Sequence, residues 1–203
     1  MVDFLVDDPL KKPRATLLLA HGAGAPMDSE FMQHLAAALV QQRVRVLRFE
    51  FAYMAARRSG ASRRPPPALP LLLAEYRKAW QEAGSDCLIG GKSLGGRLAS
   101  LLAAEQPCAG VVCFGYPFHP PGKPQQLRTE HLTRVQGPML ICQGERDPLG
   151  SQEQVAHYDF PASIDLHWLT GGDHDFKALK RHGIDWSEQF SSAAQAVTGW
   201  LRN

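Results

Sequence analysis

Long apolar runs are missing from this 203-residue sequence. The longest, such as residues 15–20, fall far short of the ~20 residues a membrane-spanning helix needs. The first residues, MVDFLVDDPLKKPR, place Asp3, Asp7 and Asp8 where a secretory signal would carry basic and then apolar residues. Both absences lead us to expect no membrane association and a cytoplasmic protein. Cysteine is sparse: Cys87, Cys108, Cys113 and Cys142, with no C-x-x-C pair. That excludes the usual zinc and thioredoxin signatures and points to free thiols in a reducing compartment. Net charge is also low, +2 from 22 basic and 20 acidic side chains, with a pI near 8.4. A dedicated nucleic-acid binder would usually show a pI above ~9 and a basic stripe. No internal repeat occurs at a fixed period.

What is present suits a folded chain. Apolar residues make up 44% of it, which excludes disorder as the main state. A chain of this length buries roughly 70% of its unfolded surface, so it needs no metal or disulfide to fold. One domain over residues 1–203 is expected.

Short apolar runs alternate with helical patterns. ATLLLA (15–20), RVRVLRF (43–49), DCLIG (86–90), AGVVCFG (109–115), PMLICQG (138–144) and SIDLHWL (163–169) read as strands. Phe31, Leu35 and Leu39 mark a helix over 29–41, and residues 69–82 form another. Leu94, Leu98, Leu101 and Leu102 share a helical face over 94–105. Ser151 with Gln154 makes a capping-box pattern. Asp185 and Glu188 open a final helix striped by Trp186, Phe190, Val197 and Leu201. Continuous apolar strands between helices predict an α/β fold, a mostly parallel sheet of about six strands with helices on both faces. The segments 52–68 and 115–127 break the rhythm with arginines and prolines. Both follow strands, where an open parallel sheet forms its ligand crevice.

Gly91-Lys92-Ser93-Leu94-Gly95 carries the strongest chemical signal. A G-x-S-x-G between a strand and a helix is a nucleophile elbow, a sharp turn that presents the serine at a helix N-terminus. A phosphate-binding loop would require glycine at position 86, where Asp86 stands. A serine nucleophile needs a base. His174 lies in the loop after the 163–169 run, flanked upstream by Gly171 and Gly172. Asp147 follows the 138–144 run and is the candidate acid. Glu145, Asp173 and Asp175 remain alternatives. His34, His157, His167 and His182 sit on or near regular elements, and His119 is expected on an exposed loop. For the oxyanion hole, Leu94 supplies one N–H. His21-Gly22-Ala23-Gly24-Ala25 supplies the other through Ala23, or through Gly24 in its place.

These motifs run in the order of a small α/β-hydrolase over nearly the whole chain. The sequence most resembles the lid-less group related to dienelactone hydrolases. GGKSLGGR and GYPFHPPGKP are similar to stretches of the subgroup with a testis-expressed animal protein and a subunit of the NSL histone-acetyltransferase complex. The resemblance implies an α/β-hydrolase fold without a cap domain, a Ser93–Asp147–His174 triad, no cofactor and no metal. It also implies an ester or related acyl substrate, so a small-molecule acyl ester or thioester is expected as partner. Dienelactone hydrolase uses cysteine where this chain has Ser93, so lactone activity is not implied. The N-terminal hairpin of larger members is absent or reduced to residues 2–6. A non-catalytic scaffold that keeps the fold is the rival reading, and a nucleotide-binding protein is a third.

Gly22, Gly24, Tyr53 and Tyr116 are candidate substrate contacts. Met54, Phe118 and His119 lie in the same post-strand segments. Lys92, Arg97, Arg57, Arg58, Arg63 and Arg64 are candidates for recognising an anionic substrate.

Overall fold

The apolar runs form parallel strands, and all but the last, at the sheet's edge, have both faces covered, which is why their hydrophobicity is continuous. The computed structural model describes residues 1–60, 62 and 65–202. Among them, one sheet contains β1 (Leu5–Asp7), β2 (Ala15–Ala20), β3 (Val44–Phe49), β4 (Leu88–Lys92), β5 (Val111–Phe114), β6 (Met139–Gly144) and β7 (Ile164–Leu169). The strand order is β1-β3-β2-β4-β5-β6-β7. Only β1 is antiparallel, pairing Leu5 with Arg48 and Asp7 with Val46 at the edge. The helices are α1 (Glu30–Gln41), α2 (Ala52–Arg58), α3 (Leu69–Ala83), α4 (Leu94–Glu105), α5 (Gln152–Val155) and α6 (Trp186–Trp200).

Alternation along β2 builds two cores. Leu17 and Leu19 face α1 and α6, where they meet Leu35, Leu39, Phe190 and Val197. Leu18 and Ala20 face α3 and α4, among Tyr76, Trp80, Leu98 and Leu102. All four β2 residues are fully buried. At ~25 cal/mol per Å2 of apolar surface, each buried leucine contributes roughly 1.5–3 kcal/mol.

The connections diverge between β2 and β4, which pair side by side. From β2 the chain passes through α1 to β3 on one flank. From β4 it passes through α4 to β5 on the other, across the opposite face. Adjacent strands whose connections separate leave a crevice at their C-terminal ends.

The structure corrects the sequence reading in four places. The sheet has seven strands, because three residues of the N-terminal segment, Leu5–Asp7, add to the edge. The 86–90 strand is displaced to Leu88–Lys92, since Gly90 and Gly91 continue the ladder despite lacking side chains. The 52–68 segment opens with helix α2, which buries Met54 to 3% exposure. Arg63 and Arg64 lie outside the described residues. The 115–127 segment starts by turning inward: Tyr116 and Phe118 are fully buried and His119, expected to be exposed, is 2% exposed. Both capping boxes form, at Ser151/Gln154 and at Asp185/Glu188. Among the described residues no helix is long and apolar enough to cross a membrane.

Candidate active site

The turn at Ser93 is strained by close packing. Ser93 adopts φ 51° and ψ −110°, directly between β4 and α4. A non-glycine residue in such a conformation costs roughly 1–3 kcal/mol, which the surroundings must offset. Its N–H donates to the Phe114 carbonyl at 3.0 Å, which fixes the turn to β5. A Cβ on Gly91 would lie 2.6 Å from the Ala20 oxygen, and one on Gly95 would lie 2.5 Å from the same atom. A Cβ on Gly96 would lie 2.7 Å from the Gly91 oxygen. The glycines let α4 start against the backbone of β2 and β4. Gly95→Ala is therefore expected to destabilise the protein by about 1–3 kcal/mol, because the obstacle is backbone and cannot rotate away. Gly199→Ala in α6, with nothing within 4 Å of its Cβ, is expected to stabilise by about 0.5–1 kcal/mol. Urea denaturation of both variants checks the pair.

Three strand ends bring the polar groups together. The Ser93 Oγ is 3.0 Å from His174 Nε2, and His174 Nδ1 is 2.8 Å from Asp147 Oδ2. Asp147 is fully buried, while the His174 side chain keeps 24% exposure. A carboxylate only accepts hydrogen bonds, so Nδ1 donates and Nε2 is left to accept the serine proton. The Asp147 carboxylate also accepts from Leu149 N–H at 2.8 Å and from Gln143 Nε2 at 2.9 Å. Gln143 is fully buried and holds Tyr116 at both ends. Its Oε1 accepts from Tyr116 N–H at 2.6 Å and its Nε2 donates to the Tyr116 carbonyl at 3.2 Å. Its support of Asp147 was not read from the sequence, because a glutamine inside a strand carries no motif.

The competing carboxylates are engaged elsewhere. Glu145 accepts from Gly171 N–H at 2.7 Å. Asp173 accepts from the N–H groups of Asp175 and Lys177, both at 2.9 Å. Asp175 pairs with Lys92 at 3.3 Å. The buried Lys92 ammonium also donates to the His174 carbonyl and lies 4.6 Å from the centre of the Phe31 ring. Burial pushes its pKa down, against the pull of Asp175 and then Asp147. Lys92 thus ties the His174 loop to the elbow.

The 21–25 loop is set by His21. This residue is fully buried; its Nε2 accepts from Phe51 N–H at 3.1 Å, so its Nδ1 donates to the Gly22 carbonyl at 2.7 Å. Burial lowers its pKa, in keeping with a neutral ring that has one donor and one acceptor. Gly22 approaches Ser93 so closely that a Cβ would come within 3.8 Å of the serine Cβ. A cavity of about 300 Å3 opens there, lined by Gly22, Ala23 and Gly24 from the loop, Phe31 and Met32 from α1, and Ser93 with His174. Leu94 is the first residue of α4, so its N–H has no intrahelical acceptor.

Tyr53 stands behind this loop and not in the cavity wall. Its hydroxyl donates to the Ala23 carbonyl at 3.1 Å, and burial raises its pKa to about 12. Tyr116 does not reach the crevice. Its ring is fully buried in the core on the α4 side, 4.8 Å from the Phe118 ring, and its hydroxyl donates to the Arg128 carbonyl at 3.0 Å. Phe118 is likewise core. Arg58 is tied to Asp28 at 2.6 Å and Glu50 at 2.5 Å on the surface. Arg57 lies over the Tyr53 ring. Among the described residues no three His, Cys, Asp or Glu side chains converge as a metal-ligand set.

A mostly parallel sheet carrying a strained serine at the turn into a helix, with histidine and aspartate returning from later strands, defines an α/β hydrolase. The chain belongs to the alpha/beta hydrolase domain family, whose model matches residues 13–202. Its fold is similar to that of an α/β serine hydrolase homologue from Coxiella burnetii, with 19% identity, TM-score 0.67, and 95% of this chain and 90% of that one covered. A dienelactone hydrolase from Anabaena variabilis matches with 21% identity and TM-score 0.69, over 97% and 89%. A serine hydrolase without a lid from Xanthomonas campestris matches with 18% identity and TM-score 0.67, over 100% and 90%.

Proposed function

We propose that the protein is a serine hydrolase that cleaves a small acyl ester or thioester through an acyl-enzyme. The observation that carries this reading is the continuous chain from Ser93 Oγ to His174 to Asp147, with links of 3.0 and 2.8 Å. Ser93 attacks the carbonyl carbon while His174 Nε2 takes its proton. The N–H groups of Ala23 and Leu94 hold the oxyanion; such a donor is worth ~3 kcal/mol. Collapse of the tetrahedral species breaks the ester bond, and His174 returns the proton to the leaving oxygen or sulfur. Water, deprotonated by His174, then releases the acid and restores Ser93. Asp147 holds the imidazole tautomer and stabilises the imidazolium.

The 300 Å3 cavity, faced by Phe31 and Met32, suits a short acyl chain. The resemblance of GGKSLGGR and GYPFHPPGKP to the testis-expressed and NSL-complex subgroup supplies the scaffold alternative. The four free thiols suit a reducing compartment, the cytoplasm. A panel of p-nitrophenyl esters of increasing chain length, run beside labelling by a fluorophosphonate probe, tests the reading. Turnover highest for acetate to butyrate, with the label on the Ser93 peptide, is expected. No turnover and no label would leave the scaffold reading.

A further inference from the structure

On the α4 side, Arg97 and Arg128 act on one another with no carboxylate acting on Arg128 to balance them. Arg97 lies four residues after Ser93, on the first turns of α4. Side chains on a helix lean toward its N-terminus, so Arg97 leans back toward Ser93. Arg128 lies in the segment after β5, with its N–H donating to the Phe118 carbonyl at 2.7 Å. Both arginines are half-buried. Burial lowers the Arg128 pKa first and the charge of Arg97 lowers it further, so the two guanidiniums sense one another. His131 sits between α4 and this segment, accepting or donating at Ser100 Oγ over 2.8 Å. Burial, then Arg97 and Arg134, push its pKa down to about 4, so it is neutral at pH 7 and adds no further charge.

Three other buried or half-buried arginines have carboxylate partners: Arg48 forks onto Asp7 at 2.8 and 3.0 Å, Arg45 meets Asp8 at 2.8 Å, and Arg77 pairs with Glu105. Among the described residues, no hydrogen bond or ion pair engages the guanidinium of Arg97 or Arg128, and the Arg97 Nε is shut off from solvent with no acceptor. Two neighbouring like charges, one with a shielded and unmet donor at Arg97 Nε, are unfavourable until an anion arrives.

We propose that Arg97 and Arg128 form a phosphate subsite of the Ser93 site, and that the substrate is a short acyl ester of a small phosphorylated alcohol. The identification of substrate rests on Ser93 being the nucleophile; the subsite does not. Charge selects phosphate over carboxylate: a phosphate monoester carries about −1.5 to −2 at pH 7 and matches two guanidiniums, which a carboxylate does not. Planar forks bind such oxygens two at a time. Arg97 stands about one helical turn, ~5.4 Å, from Ser93, which limits the spacer between ester and phosphate to a few atoms. The acyl end then occupies the cavity on the α1 side, against Phe31 and Met32.

The test is calorimetric titration of the full-length Ser93→Ala protein, which holds esters without turning them over. The probes are 2-acetoxyethyl phosphate, its uncharged counterpart ethylene glycol monoacetate, inorganic phosphate and monomethyl glutarate. The phosphorylated ester is expected to bind at least about 10-fold more tightly than the uncharged one, in line with charge-assisted hydrogen bonds. Inorganic phosphate is expected to compete with it. That preference is expected to fall below about threefold in Ser93→Ala/Arg97→Gln and in Ser93→Ala/Arg128→Gln, and to persist in Ser93→Ala/Arg14→Gln, whose substitution lies just before β2, at the end of the sheet opposite Ser93. Equal binding of the two acetates, or a preference that survives both arginine substitutions, overturns the proposal. Tighter binding of monomethyl glutarate than of the phosphate ester overturns the phosphate assignment. Phosphate-dependent binding in a wild-type protein that neither hydrolyses esters nor takes the fluorophosphonate label supports the subsite while rejecting the hydrolase.

Discussion

Ser93→Ala is expected to lower kcat/KM for short p-nitrophenyl esters by about 10^4- to 10^6-fold, the range in which loss of a serine nucleophile removes the covalent route altogether. The loss falls on kcat, since the cavity beside Ser93 is bounded by Gly22, Ala23, Phe31 and Met32 and survives the change. Stability is expected to hold or rise slightly. The N–H to Phe114 is kept, and alanine has a hydroxyl fewer to place at a strained turn. Ester hydrolysis and thermal melting on the same preparation measure both. A variant that retains a tenth of wild-type turnover would mean that another group attacks the carbonyl. A fall in the melting temperature that matches the loss of activity would mean that Ser93 shapes the fold and not the reaction.

The parts of this site that were legible in the sequence are those that repeat a physical requirement. Gly91 and Gly95 are legible because the elbow needs bare backbone against Ala20. Asp147 and His174 are legible because each follows an apolar strand and so arrives at the same sheet edge. The two capping boxes are legible because each satisfies reciprocal donors within four residues. What escaped depends on contacts distant in sequence. Gln143 reads as one polar residue in a buried strand, and only the fold shows it between Tyr116 and Asp147. Lys92 reads as a candidate for anion binding, yet its ammonium is consumed by the His174 carbonyl and Asp175. Tyr116 reads as a loop aromatic, but it and Phe118 turn into the core on the α4 side instead of lining the crevice. Seven strands instead of six follow from the edge: a three-residue strand, Leu5–Asp7, has too few positions to show a period.

The dependence on Asp147 makes a second large effect. Asp147→Asn is expected to lower kcat/KM by about 10^3- to 10^4-fold with little change in KM. The cause lies in the donors around the carboxylate. Oδ2 accepts from His174 Nδ1 and Gln143 Nε2, and Oδ1 accepts from Leu149 N–H. An asparagine has one acceptor and one donor, so either orientation sets its amide N–H against another N–H. With the amide nitrogen toward His174, the ring is driven to the tautomer that carries its proton on Nε2, and Nε2 then has no lone pair for the Ser93 proton. With the oxygen toward His174, the tautomer is kept, but the negative charge that stabilises the imidazolium is gone, and the Leu149 N–H faces an N–H at a fully buried position. Activity falls in both orientations. The ring nitrogens of His174, followed by 15N chemical shift, distinguish them. A variant active within tenfold of wild type would shift the acid role to another carboxylate. Asp175 would then be tested first, because it follows His174 in the same loop and is held there by Lys92.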